Sequence, residues 1–161
     1  MHPYSKFANS ALAMTLCLAG AVARADAPNW ARQLRNDPLN NQTACMLVSA
    51  TQTIYDGYQD TRVRLELGGA ALRVISDSNF DTRGTALGLS VDGGPFIAST
   101  TSSAETHLLF SRDLDRIIEQ FIKGNTAQLR LRFWPTWPAT GDKTVKFSLL
   151  GFTRAYRSHC D

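Results

Sequence analysis

The apolar positions of this chain recur mostly at every second residue. Residues 62 to 67 alternate without a break, with Val63, Leu65 and Leu67 on one face and Arg62, Arg64 and Glu66 on the other. That is the period of a strand with one buried face. Gly68 and Gly69 then form a tight connection into Ala71 to Ile75, which predicts a hairpin. Residues 43 to 55, Leu87 to Val91, Phe96 to Ile97 and His107 to Phe110 add shorter extended segments, and Asp92, Gly93 and Gly94 supply turn chemistry between two of them. Gln128 to Trp134 turns Leu129, Leu131 and Phe133 inward and Arg130 and Arg132 outward, while Thr144 to Leu150 turns Val145, Phe147 and Leu149 inward. Thr100 to Ala104 reads as a polar loop, and residues 26 to 41, broken by Pro28 and Pro38, read as an N-terminal arm that Trp30 pins to the body.

One segment changes period. Leu114, Ile117, Ile118, Phe121 and Ile122 recur at helical spacing, with Arg116, Glu119 and Lys123 on the opposite side. Ser111 is the expected N-cap, Asp113 lies in the first turn and Gly124 is the stop signal. A further helical turn is expected around Thr153 to Ser158. About seven or eight short strands around a single strong helix predict a mainly β fold, an antiparallel β-sandwich or partly open barrel with one amphipathic helix. Strands and helices do not alternate, which argues against a parallel, doubly wound sheet.

The first residues have a different logic. Lys6 is followed by a mostly apolar run from Ala11 to Ala23 and the small-residue sequence Ala23, Arg24, Ala25. This is the layout of a cleavable signal peptide, too short in its apolar part for the roughly 20 residues of a membrane-spanning helix. The expected organisation is a signal over residues 1–25 and a single β-rich domain over 26–161, with no transmembrane span in the mature chain. Cys17 is not read as a lipid attachment site, because Leu16 stands where a lipobox has a small residue.

Export alters the charge and the cysteines. Lys plus Arg falls from 17 to 15 against 14 Asp plus Glu, because Lys6 and Arg24 leave with the signal and no acid does. A mature charge of +1 gives no argument for nucleic acid as a partner. Of three cysteines, Cys45 and Cys160 remain, and an even pair in an exported chain usually forms a disulfide. Two cysteines without histidines beside them do not make a closed zinc site.

Candidate chemistry is sparse. His107 and His159 are the only histidines after the signal, and no serine sits in a glycine elbow, so a nucleophilic triad is not expected. Asp77, Asn79 and Asp81 have the alternating oxygens of a calcium loop but carry Thr82 and Gly88 where that loop needs Gly and Glu, which makes a polar turn the default. The least ordinary feature is Trp134, Pro135, Thr136, Trp137, Pro138. Two prolines end a ladder, so the indoles of Trp134 and Trp137 sit in a stiff loop that either displays them to a partner or folds them over the end of the barrel. Arg130 and Arg132, with Arg62 and Arg64 if their strands are neighbours, would form a basic face toward an acidic partner or the phosphates of an anionic envelope surface. A solvated strand face is the alternative.

From about Arg62 to Tyr156 the order of features resembles the invasion-associated locus B family of exported bacterial proteins. The pieces are Val91, Asp92, Gly93 and Gly94, the helix closed by Lys123 and Gly124, and the terminal run Phe147, Ser148, Leu149, Leu150, Gly151, Phe152, Thr153, Arg154, Ala155, Tyr156. The resemblance implies a periplasmic or outer-membrane-associated β-rich protein of Gram-negative bacteria, linked to host-cell invasion or surface roles, with no catalytic residues to carry over. The sequence therefore predicts an exported envelope interaction protein rather than an enzyme, without cofactor or metal. Its partner would be an envelope or host protein, met through Trp134, Trp137, Arg130 and Arg132. The alternatives are a small inhibitor of an envelope or host enzyme, and an exported hydrolase built on His107 and the Asp77 loop.

Overall fold

A computed structural model describes residues 28–36, 43–83, 86–135 and 141–158. The alternating segments pair into two antiparallel sheets. The larger contains β1 (Trp30–Asn36), β2 (Thr43–Ser49), β3 (Gln52–Tyr55), β4 (Asp60–Gly68), β5 (Ala71–Ser76), β8 (Thr101–Ala104) and β9 (His107–Phe110), in the order β1-β2-β4-β5-β9-β8 with β3 also on β4. The smaller contains β6 (Gly88–Val91), β7 (Ile97–Ala98), β10 (Thr126–Leu131) and β11 (Lys143–Ser148), in the order β11-β10-β6-β7. The expected inward residues bury almost completely: Val63, Leu65, Leu129, Leu131, Phe133, Val145 and Phe147 all join one core with Leu67 and Leu149. Interleaving of two inner faces in this way is the packing of a β-sandwich. The sheets do not close into a barrel.

Two segments expected to be irregular are strands. The arm carries β1, which pairs with β2 from Trp30 opposite Ser49 to Asn36 opposite Thr43. Thr101–Ala104, expected as a polar loop, is edge strand β8 on β9. Neither has an apolar alternation to announce it, because an edge strand satisfies one side of its backbone on a neighbour and leaves the other to water. Residues 43 to 55 form two strands instead of one. Leu47 faces Leu67 and Gln52 faces Val63, a shift of one residue between β2 and β3. At the break the Ser49 hydroxyl accepts the Leu65 amide at 2.9 Å, supplying the bond that the ladder loses.

Glu66 lies on the outer face of β4 as its alternation requires, yet its side chain is buried. Arg64 Nη2 stands 2.9 Å and Arg35 Nη2 3.6 Å from its Oε1, so the carboxylate that leaves water finds opposite charge.

Helix α1 (Leu114–Lys123) ends at Gly124 as expected, but its N-cap is Asp113, with no side-chain cap bond, and not Ser111. Ser111 instead donates its amide to Thr100 Oγ1 at 3.1 Å. Ile117 and Phe121 are buried, while Arg116, Glu119 and Lys123 face water. Gly124 is required by a close approach. A Cβ there would collide with Val91 Cγ1 and lie 2.9 Å from the Gln120 carbonyl oxygen. The Asp92 turn occupies that space: Asp92 takes φ +49°, its Oδ2 accepts the Asn125 amide and its Oδ1 the Thr126 amide, each at 2.9 Å. Two of the sequence pieces noted above, Val91–Gly94 and Lys123–Gly124, are thus one contact.

The second helix, α2 (Phe152–Arg157), follows Gly151 at φ +89° and confirms the helical turn expected near the C-terminus. Phe152 packs edge-on against Trp30 at 4.9 Å and Phe121 at 5.2 Å. Trp30 Nε1 donates to the Ser148 carbonyl at 2.9 Å, so the indole does pin β1 to the body.

At the turn from β3 to β4, Asp56 is buried and accepts the amides of Tyr58 and Gln59 on Oδ1 and the Ser78 hydroxyl on Oδ2 at 2.7 Å. Burial alone would raise its pKa, but the bonds from Ser78, Gln59 and Tyr58 and the charge of Lys143 outweigh it and hold the carboxyl below its ordinary 3.8. A carboxyl lowered on folding stabilises the fold fully above its unfolded value, and that contribution fades as pH falls through the folded value. Acid titration of unfolding should therefore show an Asp56→Asn chain less stable near neutrality but with a shallower loss below about pH 4. Gly124→Ala should cost about 1–3 kcal/mol in denaturant unfolding, from overpacking against Val91.

Candidate functional site

The loop after β5 crosses to the end of β10 and builds the cleft in which Trp134 stands. Phe80 bridges Phe133, with their rings stacked at 5.4 Å. Asp81 donates its amide to the Arg132 carbonyl and Trp134 donates its amide to the Asn79 carbonyl, each at 2.8 Å. The apolar pair below and the backbone bonds above fix where the chain surfaces at Trp134, which joins Pro135 through a cis peptide bond. The indole is half exposed, at 49%.

A cleft of about 290 Å³ opens beside it, lined by Asn79, Phe80, Asp81, Arg83, Glu105 and Trp134, together with Thr82. The Arg83 guanidinium lies 4.0 Å over the indole ring, and its Nε is 3.2 Å from Asp81 Oδ1. Asn79 Nδ2 donates to Glu105 Oε2 at 2.7 Å. Chemically the cleft offers one aromatic plate, one stacked cation and two carboxylates, a set suited to holding a polar partner against an apolar surface. The sequence pointed to Trp134 by its prolines; it did not point to Arg83 or Glu105, which come from other loops.

The remaining candidates separate. Arg130 donates to the Ala86 carbonyl through Nη2 at 3.0 Å and covers the Phe96 ring at 4.2 Å. Arg132 is paired with Asp142 at 2.6 Å. Arg130 belongs to β10 of the smaller sheet and Arg132 directly follows it, whereas Arg62 and Arg64 belong to β4 of the larger, so the four do not form the basic face considered from the sequence. Arg62 is itself paired with Asp77 at 2.7 Å. Trp137 lies outside the described residues, as do residues 1–25 of the expected signal and Cys160; Cys45 is half-buried in β2.

Asp77, Asn79 and Asp81 turn to three different neighbours, Arg62, Glu105 and Arg83, instead of toward a shared point. His107 Nδ1 lies 3.2 Å from Thr106 Oγ1. Among the described residues, no helix is long and apolar enough to cross a membrane.

Two antiparallel sheets and the helices that close one end define a mainly β, two-sheet protein. The crystal structure of invasion associated protein B from Bartonella henselae shares this fold, with a TM-score of 0.52 over 80% of this chain and 90% of that chain. Identity is 13%, so the likeness is one of fold. No family model matches the chain, and no curated protein matches its sequence.

Arg83 and Trp134 are both substantially exposed, and exposed cation–π pairs are weak. A double-mutant cycle between Arg83→Ala and Trp134→Ala should return about 0.5–1 kcal/mol of coupling in chemical unfolding.

Proposed function

We propose that this chain is an exported, envelope-associated protein that acts by binding another protein, with contact centred on the Trp134 cleft. The observation that carries the reading is the half-exposed indole, which follows Phe133 of the Phe80–Phe133 stack in sequence and is covered on one face by Arg83. An aromatic plate already positioned by the fold loses little conformational freedom when a partner covers it. The invasion-associated fold neighbour and the signal-like N-terminus support an envelope or host protein as that partner and a periplasmic or outer-envelope location.

A disulfide between Cys45 and Cys160 belongs to the same reading. Cys45 faces Leu34, on the side of the sheet that carries Trp30 and Arg32. Ser158, two residues before Cys160, lines one cleft with Arg32.

Crosslinking in intact cells from a photoreactive residue replacing Trp134 tests the contact. One dominant envelope or host protein is expected, and its loss on Arg83→Ala with Glu105→Ala would place the contact in the cleft. A well-expressed chain that captures nothing overturns the site. Intact mass of the exported protein should give an N-terminus at Asp26 and, without reductant, the loss of two hydrogens.

A further inference from the structure

A second cleft, of about 870 Å³, separates the start of β1 from α2. Asn29, Trp30 and Arg32 form one wall, and Leu150, Arg154 and Ser158 belong to the other. Arg157 lines an adjoining hollow that shares Arg154 and Ser158. Among the described residues that line these two spaces none is a carboxylate, although the whole chain carries 14 acids against 17 Lys plus Arg. The ion pairs among the described residues engage Arg35, Arg62, Arg64, Arg83, Lys123 and Arg132; none engages Arg32, Arg154 or Arg157.

Three guanidiniums without an ion pair, around a concave space whose described lining has no acid, concentrate positive potential, and the planar fork of arginine matches a phosphate group. Apolar side chains stand at the rim. Leu150 is 76% exposed in the cleft wall, and Leu34, further along the same face of β1, is 65% exposed. Leucines held in water beside unpaired arginines are the arrangement that interfacial binding uses, with cations at the headgroups and alkyl groups at the acyl boundary.

We propose that the β1–α2 cleft binds the phosphate-bearing headgroup of an anionic lipid, through Arg32, Arg154 and Arg157, with Leu150 entering the lipid surface. This assigns the anionic contact to arginines other than Arg130 and Arg132, whose guanidiniums are held by Ala86 and Asp142. It does not rest on the Trp134 reading, since the two clefts share no lining residue.

The test is co-sedimentation of the purified exported chain with vesicles of phosphatidylcholine alone or mixed in equal parts with phosphatidylglycerol. Binding is expected only to the mixed vesicles and should fall as salt is raised. Each arginine near an anionic surface changes affinity about fivefold, so Arg32→Ala with Arg154→Ala should weaken binding about thirtyfold. Arg112→Ala with Arg116→Ala, which removes the same charge from exposed positions before and on α1, should leave binding within about twofold. Leu150→Ser should weaken vesicle binding, and Trp134→Ala should not. Undiminished binding by the Arg32/Arg154 variant, with its thermal midpoint unchanged, overturns the proposal, as does an equal loss in the Arg112/Arg116 variant. Equally tight binding of soluble glycerol phosphate together with indifference to Leu150→Ser overturns the lipid as its source.

Discussion

The indole of Trp30 joins parts of the chain that lie far apart in sequence. It sits at the start of the first strand, donates to the Ser148 carbonyl at the end of the last strand, and lies edge-on to Phe152 of α2 and Phe121 of α1. Edge-on aromatic pairs contribute about 0.5–1.5 kcal/mol each beyond the area they bury. The contact is also topological. The larger sheet begins at Trp30 and the smaller ends at Ser148, so one side chain holds together two sheets, two helices and both ends of the domain. The wall of the β1–α2 cleft is a consequence, because α2 can face β1 only while Phe152 remains against the indole.

Just past Phe121, at the exit of α1, a second constraint works through backbone bonds. The Asp92 carboxylate accepts two consecutive amides at the entry to β10, which places that strand between β6 and β11. Thr153 Oγ1 then donates to the Ile122 carbonyl at the end of α1, bringing α2 to the same junction. The helix exit, the Asp92 turn and the start of α2 therefore form one junction. The three sequence pieces that resemble the invasion-associated family fall on it, which gives a structural reason for their appearing together.

Much of this was legible from residues with a strong period. Strands β4, β10 and β11 announce themselves because alternate residues meet the other sheet, and α1 does so because Ile117 and Phe121 enter the core. Strands β1 and β8 did not, since an edge strand needs no alternation when its ladder is made by a neighbour. The burial of Glu66 was hidden as well. Its place in the alternation says which face it occupies, and only the approach of Arg35 from another strand shows that the face is dry.

The same difference separates the two clefts. Trp134 was visible because proline leaves a local signature, and its cleft becomes a site once the crossing of Phe80 brings Arg83 and Glu105 beside it. Arg32 and Arg154 have no local signature; they are ordinary exposed arginines more than a hundred residues apart. Their significance arises when Trp30 and Phe152 bring β1 and α2 together and no described acid pairs with them there. In a chain with 17 Lys plus Arg against 14 acids, the distribution of partners over its arginines carries more functional information than their number, because a paired guanidinium is committed to the fold and an unpaired one at a cleft remains available to a ligand.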